Sequence, residues 1–164
     1  MSVEHDGRER LTRIFNAFGQ IAERFEKRIL ISVHPRTREK LDGFGIVPDA
    51  HRIQLLDPLG FFDFVHLEKN ASAVLTDSGT VQEECAIFGI PNITIRDVTE
   101  RPETIECGSN ILSGAEPEDI LRAVELATSQ PAGWTAPSEY LATNVGQTVS
   151  KIVLGYTNLR KHIS

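Results

Sequence analysis

Two consecutive stretches of this chain end in residues that could hold an anion. In "AVLTDSGTVQEECAIFG" an apolar run stops at Asp77-Ser78-Gly79-Thr80 and an amphipathic segment begins at once. In "NITIRDVTERPE" a second apolar run stops at Arg96 and is followed by Glu100-Arg101-Pro102-Glu103. The free N–H groups of a first helical turn, together with the helix dipole, favour negative charge at such a place. Gly79 has no Cβ, so a ligand can approach its backbone closely. Thr80 with Glu83 three residues later matches a capping box, which would start the helix there. Arg96 and Arg101 carry planar guanidinium forks that suit phosphate oxygens. A carboxylate beside phosphates would be repelled. Glu84, one turn into the helix, is therefore expected to accept from ribose hydroxyls if it faces the ligand. The residue types add up to a nucleotide diphosphate site.

Each of these residues also has a plainer use. The tetrapeptide can be an ordinary strand-to-helix turn with a good cap, and Glu84 a solvated surface residue. Arg101 can pair with Glu100 or Glu103 at the surface, which is worth little. Phe61 and Phe64 can be core or a base-stacking platform. His34, at the end of a strand, can be a ligand contact or a histidine capping its own turn.

The elements that must position these groups alternate along the chain. Leu11, Ile14, Phe15, Phe18, Ile21 and Phe25 fall at helical spacing. "RILISV" reads as a buried strand ended by His34-Pro35, "TREKL" opens a short helix, and "RIQLL" is a second strand. A helix over 61–69 follows Pro58 and Gly60. "AVLT" and "NITI" are strands flanking a helix closed by Gly89, and a short helix over 102–107 leads to the strand "NILS". A helix with Pro117 in its first turn, a Pro-rich connector "QPAGWTAPSEY" and a terminal amphipathic helix complete the chain. That alternation predicts an α/β fold, a Rossmann-like doubly wound parallel sheet of about six strands, the sixth being "MSVE" at the start. A flavodoxin-like domain is the alternative. In a doubly wound sheet ligands sit beyond the carboxyl ends of the strands, where strand order reverses. The segment around His5-Asp6-Gly7-Arg8 is thereby expected to converge on residues 77–80.

Bulk composition narrows the class. At 164 residues the chain is expected to be one domain, 1–164. Seventeen Lys and Arg against 23 Asp and Glu give −6, which argues against a broad nucleic-acid footprint but leaves room for a local cationic pocket. No apolar run approaches the ~18–20 residues that span a membrane, and no charged-then-apolar leader is visible. Cys85 and Cys107 have no metal-ligand or redox spacing and read as reduced, buried thiols. No metal and no cofactor is expected, and a cytoplasmic location is.

"TDSGTVQEECAIFGIPNITIRDVTERPE", with "HPRT" at His34, "DPLGFFDF" at 57–64 and "GSNILSG" at 108–114, closely resembles the signature of the non-hydrolysing UDP-N-acetylglucosamine 2-epimerase family. The resemblance is strong over 5–114 and weaker through the terminal helix. It implies one half of a two-domain glycosyltransferase-B architecture, the C-terminal half, with the N-terminal domain missing. In that family this half binds UDP, and Ser78, the backbone of Gly79 and Thr80, Glu84 and Arg96 match the binding positions, with Phe64 beside the uracil. The implied reaction inverts C2 of the sugar by eliminating UDP and adding it back. The carboxylates that move protons lie in the other domain, so this chain alone is expected to be inactive. His5 matches a functional histidine of a His-Arg-x-Glu motif, although the sequence here reads His5-Asp6-Gly7-Arg8-Glu9. The chain is expected to begin inside its first strand. The terminal helix is expected to be partly exposed or buried in a homodimer. A glycosyl transferase of the same architecture and a non-catalytic flavodoxin-like module are the competing functions. The resemblance leaves the sugar open, since the DPLGFFDF variant also occurs among relatives acting on dideoxy or diacetamido sugars.

Overall fold

Helices and strands alternate from Val3 to Ser129. The structure, a computed structural model, describes the backbone of residues 3–159 and the side chains of residues 7–155. In order they are α1 (Val3–Arg24), β1 (Ile29–Ser32), α2 (Pro35–Phe44), β2 (Ile53–Leu56), α3 (Phe61–Lys69), β3 (Val74–Thr76) and α4 (Gly79–Phe88). Then follow β4 (Asn92–Thr94), α5 (Pro102–Glu106), β5 (Asn110–Leu112), α6 (Pro117–Ser129), a 3₁₀ turn at Ser138–Leu141, and α7 (Val145–Leu159). Among the described residues there are five strands, not six. Val3 and Glu4 belong to α1 rather than to a strand, and Met1 and Ser2 lie outside the described residues. The physical reason is cooperativity. Extending an existing helix adds a hydrogen bond for each residue fixed, whereas a short extended segment gains nothing without neighbours to pair with.

All pairing is parallel, in two sheets. β1 pairs β2 with Ile29 opposite Ile53, and β3-β4-β5 pair with Thr76 opposite Thr94 and Thr94 opposite Leu112. Strands β1 and β3 both line one groove, and the orders β1-β2 and β3-β4-β5 are those that the two halves of a doubly wound sheet would show.

Strand β4 carries a different chemistry on each face. Ile93 and Ile95 join Phe15, Phe18 and Ile21 of α1, Leu41 of α2, and Ile120, Ala123 and Val124 of α6 in the apolar core. Asn92 and Thr94 point the other way, toward α4 and α5, and are also fully buried. α1 and α6 thus cover one face, while α4, packed between α3 and α5, covers the other. Gly45 and Gly89 close α2 and α4 with φ of 66° and 72°, the left-handed region that glycine enters without strain.

The connector after α6 is pinned rather than free. Trp134 Nε1 donates to Ala86 O at 3.1 Å, and Tyr140 Oη donates to Glu103. Beyond it, α7 presents Val145, Val149, Ile152, Val153 and Leu154, each more than half exposed. No described helix is long and apolar enough to cross a membrane.

Candidate functional site

Ser78 is the N-cap of α4, and its side chain makes no capping hydrogen bond. The helix begins at Gly79, so the Thr80–Glu83 capping box does not form. Glu83 instead turns its carboxylate to Arg101 Nε. A charged partner outcompetes a backbone N–H, since a charge-assisted bond is roughly twice as strong as a neutral one. The consequence matters for binding, because no side-chain cap occupies the N–H groups of this first turn.

Arg101 lies directly over that turn. A Cβ on Gly79 would sit 3.4 Å from the Arg101 guanidinium carbon and 3.5 Å from its Nη2. Glycine is what lets the cation approach the helix end so closely. A guanidinium at the positive end of a helix is disfavoured by the dipole unless an anion is shared between them. Glu83 supplies one negative charge through Nε, and Nη1 donates to Glu100 O at 3.0 Å. Nη2 is directed at the turn. The alternative of a surface pairing of Arg101 with the Glu100 or Glu103 carboxylate gives way to a cross-helix pair with Glu83. Both partners are about a third exposed, with side-chain exposures of 31% and 32%.

A buried polar network sets the position of Arg101. Its N–H donates to Thr99 Oγ1 at 3.0 Å, and its C=O accepts from Thr104 Oγ1 at 2.7 Å. Thr99 Oγ1 donates to Gln82 Oε1 at 2.8 Å, and Asn110 Nδ2 donates both to Gln82 Oε1 at 3.2 Å and to Thr104 Oγ1 at 3.1 Å. Thr94 Oγ1 donates to Asn110 Oδ1 at 2.9 Å. Asn92 Nδ2 anchors the far side on Val74 O at 3.1 Å. Buried polar groups fully satisfied by one another hold a single geometry. Gln82, Thr94, Thr99, Thr104 and Asn110 were not legible as a site. Thr94 and Asn110 did carry a signal, as polar residues inside parallel strands, which normally read as continuous apolar runs.

Arg96 leaves β4 level with the same turn. Thr76 pairs with Thr94, so Ser78 and Arg96 each lie two residues beyond adjacent strands, at the same end of the sheet. Arg96 lines a groove of about 1380 Å³ together with Asp77, His34 and Phe64. His34 caps α2 through Nδ1, which accepts from Arg36 N at 3.3 Å, leaving Nε2 as the donor of the neutral ring. Phe64 is half-buried in the groove wall, while Phe61 is 66% exposed and is not core. Gly7 and Arg10 line this groove too, which brings the start of α1 to the crevice. The side chain of His5 lies outside the described residues. Arg10 donates to Asp97 at 3.0 Å beside a smaller cavity of about 450 Å³.

Glu84 is half-buried, and its carboxyl is raised above the usual range by burial and by Glu83. Behind it lies Glu68, 3% exposed, with neither carboxylate oxygen hydrogen-bonded. Burial and the Glu84 charge push the Glu68 carboxyl up to about 7. Its place in the last turn of α3 also sets it against the negative helix end. The Cys85 thiol beside both is pushed up to about 12, chiefly by burial, and is unreactive. No cluster of three or more His, Cys, Asp or Glu among the described residues suits a metal ion.

The arrangement is thus an uncapped helix start under one arginine, a second arginine on the neighbouring strand end, and a carboxyl one turn into the helix. Comparison with known proteins points the same way. The model of the family described as UDP-N-acetylglucosamine 2-epimerase matches residues 2–154. A UDP-N-acetylglucosamine 2-epimerase of Methanococcus maripaludis is 39% identical over 153 residues, covering 92% of this chain and 41% of the relative. A UDP-2,3-diacetamido-2,3-dideoxy-D-glucuronate 2-epimerase of Pseudomonas aeruginosa is 37% identical over 114 residues, covering 70% of this chain and 31% of the relative. The crystal structure of the Methanocaldococcus jannaschii UDP-GlcNAc 2-epimerase in complex with UDP-GlcNAc and UDP superposes with a TM-score of 0.84 at 39% identity, over 91% of this chain and 41% of that one. The chain spans less than half the length of the relatives it matches, and the match falls in their C-terminal portion.

Proposed function

Since this chain belongs to the UDP-N-acetylglucosamine 2-epimerase family, we propose that it is the UDP-binding half of an enzyme that inverts C2 of a UDP-N-acetylhexosamine. The observation that carries the reading is the Arg101 guanidinium lying over Gly79 at an uncapped helix start. A cation and a helix N-terminus facing one point make sense when a diphosphate lies between them. The first-turn N–H groups of α4 take phosphate oxygens, with Ser78 Oγ at the edge. Arg96 and Arg101 neutralise the charge, which grows as UDP leaves the sugar, so they serve the departing group as well as the bound one. Glu84 holds the ribose hydroxyls and Phe64 borders the base. His34 offers an Nε2 donor at the groove mouth, and His5 acts near the diphosphate.

The whole catalytic cycle needs groups that this chain does not supply. On this reading residues 1–164 form one Rossmann-like domain, and a second, N-terminal domain brings the carboxylates that take and return the C2 proton. The exposed stripe of α7 is surface for that domain, or for a homodimer contact. The assembled enzyme works in the cytoplasm. Isothermal titration with UDP tests the proposal. Saturable binding that is weakened at least tenfold in Arg101→Ala is expected. Absence of binding at millimolar UDP, both in the chain alone and after an N-terminal half is restored, overturns it.

A further inference from the structure

Two carboxylates lie close to Arg101, and one of them is diverted from it. Arg101 is the N-cap of α5, and Glu103 lies in the first turn of the same helix. Opposite charges so placed attract each other. Among the described residues the Arg101 ion pair is nevertheless with Glu83, and the Glu103 carboxylate accepts from Tyr140 Oη. The Glu103 carboxyl is held below its usual range first by that hydroxyl, then by its own backbone N–H, and least by Arg101. The guanidinium is raised first by its bond to Glu83, with Glu103 the smallest contributor.

Tyr140 reaches Glu103 from the connector that follows α6. Trp134 Nε1 donates to Ala86 O at 3.1 Å, a carbonyl in the last turn of α4 for which the helix has no N–H of its own. The 3₁₀ turn packs on α4, and Tyr140 N donates to Pro137 O at 3.0 Å, which fixes the turn that carries the ring. The ring is half-buried. Burial first, and the bond to Glu103 second, raise the phenol above its ordinary range. At neutral pH Tyr140 is therefore a neutral donor.

We propose that Tyr140 is a positioning residue for the diphosphate site: it holds Glu103 away from Arg101, so that the guanidinium does not take a second carboxylate. Glu83 already balances the single charge of Arg101 through Nε. A second carboxylate would make the cluster net negative, and it would occupy the part of the fork that lies over the Gly79 turn. A phosphate would then meet a spent donor and a repelling charge. A phenol suits the task because it satisfies a carboxylate without bringing a charge of its own. The consequence for UDP rests on the proposed function, whereas the separation of Glu103 from Arg101 does not.

The test is a double-mutant cycle in the full chain: Tyr140→Phe, Glu103→Gln, and the two together. Each form is read by calorimetric titration with UDP and, without ligand, by the side-chain ¹⁵N resonances of Arg101. Tyr140→Phe is expected to weaken UDP binding by about three- to tenfold and to move the Arg101 Nε and Nη resonances. Adding Glu103→Gln should bring both back, the affinity to within about twofold of the unaltered chain. Glu103→Gln alone should change affinity by less than about twofold. A connector that had merely come loose would not be cured by removing the charge at position 103, and the fluorescence of Trp134, the single tryptophan, reads its docking. Unchanged affinity and unmoved Arg101 resonances in Tyr140→Phe overturn the proposal. So does an equal gain from Glu103→Gln in both backgrounds, which would make that charge act on the ligand directly. If no form binds UDP while the resonances move and recover as stated, the proposed function fails and the separation of Glu103 from Arg101 by Tyr140 stands.

Discussion

The β3-β4-β5 half and the β1-β2 half use the same parallel pairing but are finished to different degrees. In the first, both faces of β4 are closed, one by isoleucines and one by an Asn-Thr-Gln network, and that network extends into the loop that holds Arg101. In the second, the strands are half-exposed along one edge and the apolar wall of α1 looks into a groove. Buried polar packing is therefore concentrated under the turn proposed to bind the diphosphate. The cleft between the halves is where the fold stays open. On the proposed function the donors need to be held before the ligand arrives, and the polar network would do that.

If the closed half is held by its network, breaking the network should be the costliest change. Asn110→Ala strips partners from Thr94, Gln82 and Thr104 in a fully buried setting. A loss of about 2–4 kcal/mol in urea unfolding is expected, and Leu30→Ala on the open edge should cost well under half of that. Comparable losses from the two substitutions would erase the distinction between the halves.

Next in size is the cation over the turn. Arg101→Ala should weaken UDP binding by about 1.5–3 kcal/mol, a factor of roughly ten to a hundred, with little change in melting temperature. Arg101→Lys should recover only part of it, since a point charge does not reproduce the fork. A melting temperature that falls as far as in Asn110→Ala would make Arg101 a structural residue instead.

Glu68 gives a pH test on the floor of the groove. Its carboxyl is pushed up to about 7 in the folded chain from an ordinary 4.5, by burial first and Glu84 second. Folded and unfolded chains both bind the proton well below pH ~4.5, so there the ionisation of Glu68 adds no cost. As pH rises from there toward 7 the unfolded chain ionises first, and the folded state loses stability relative to it. Glu68→Gln should flatten that slope in chemical unfolding, leaving the variant more stable above pH 7 by on the order of 2 kcal/mol. An unchanged pH dependence would mean the carboxyl finds a donor in solution. The smallest effect is expected at Phe61→Ala and Val149→Ser, both more than half exposed. Each should shift stability of this chain by less than about 0.5 kcal/mol. A larger loss would show that these faces already pack on something.

Much of this was legible in the residues, for identifiable reasons. Strand and helix assignments over 28–130 held to within a few residues at each boundary, because apolar runs, Pro at helix starts and Gly89 at a helix end are strong local signals. The parallel sense of the three described strand pairings followed from alternation alone. "MSVE" misled because four residues carry no periodicity, and the α1 stripe that overrides them lies downstream. The capping box at Thr80 was a correct local pattern beaten by a partner eighteen residues away in sequence, Arg101. Glu68 gave no signal in the sequence, since nothing local says that α3 turns it inward next to Glu84.

The place at which UDP binds this chain, if it binds, decides whether the proposed site is right. Titration of UDP into the ¹⁵N-labelled protein, followed by amide shifts, reads that directly. The largest changes are predicted at Gly79, Thr80 and Val81, with accompanying shifts at Arg96 and Arg101 and smaller ones at Glu84. Saturable binding that leaves those amides still, and moves residues of α6 or α7 instead, would contradict it.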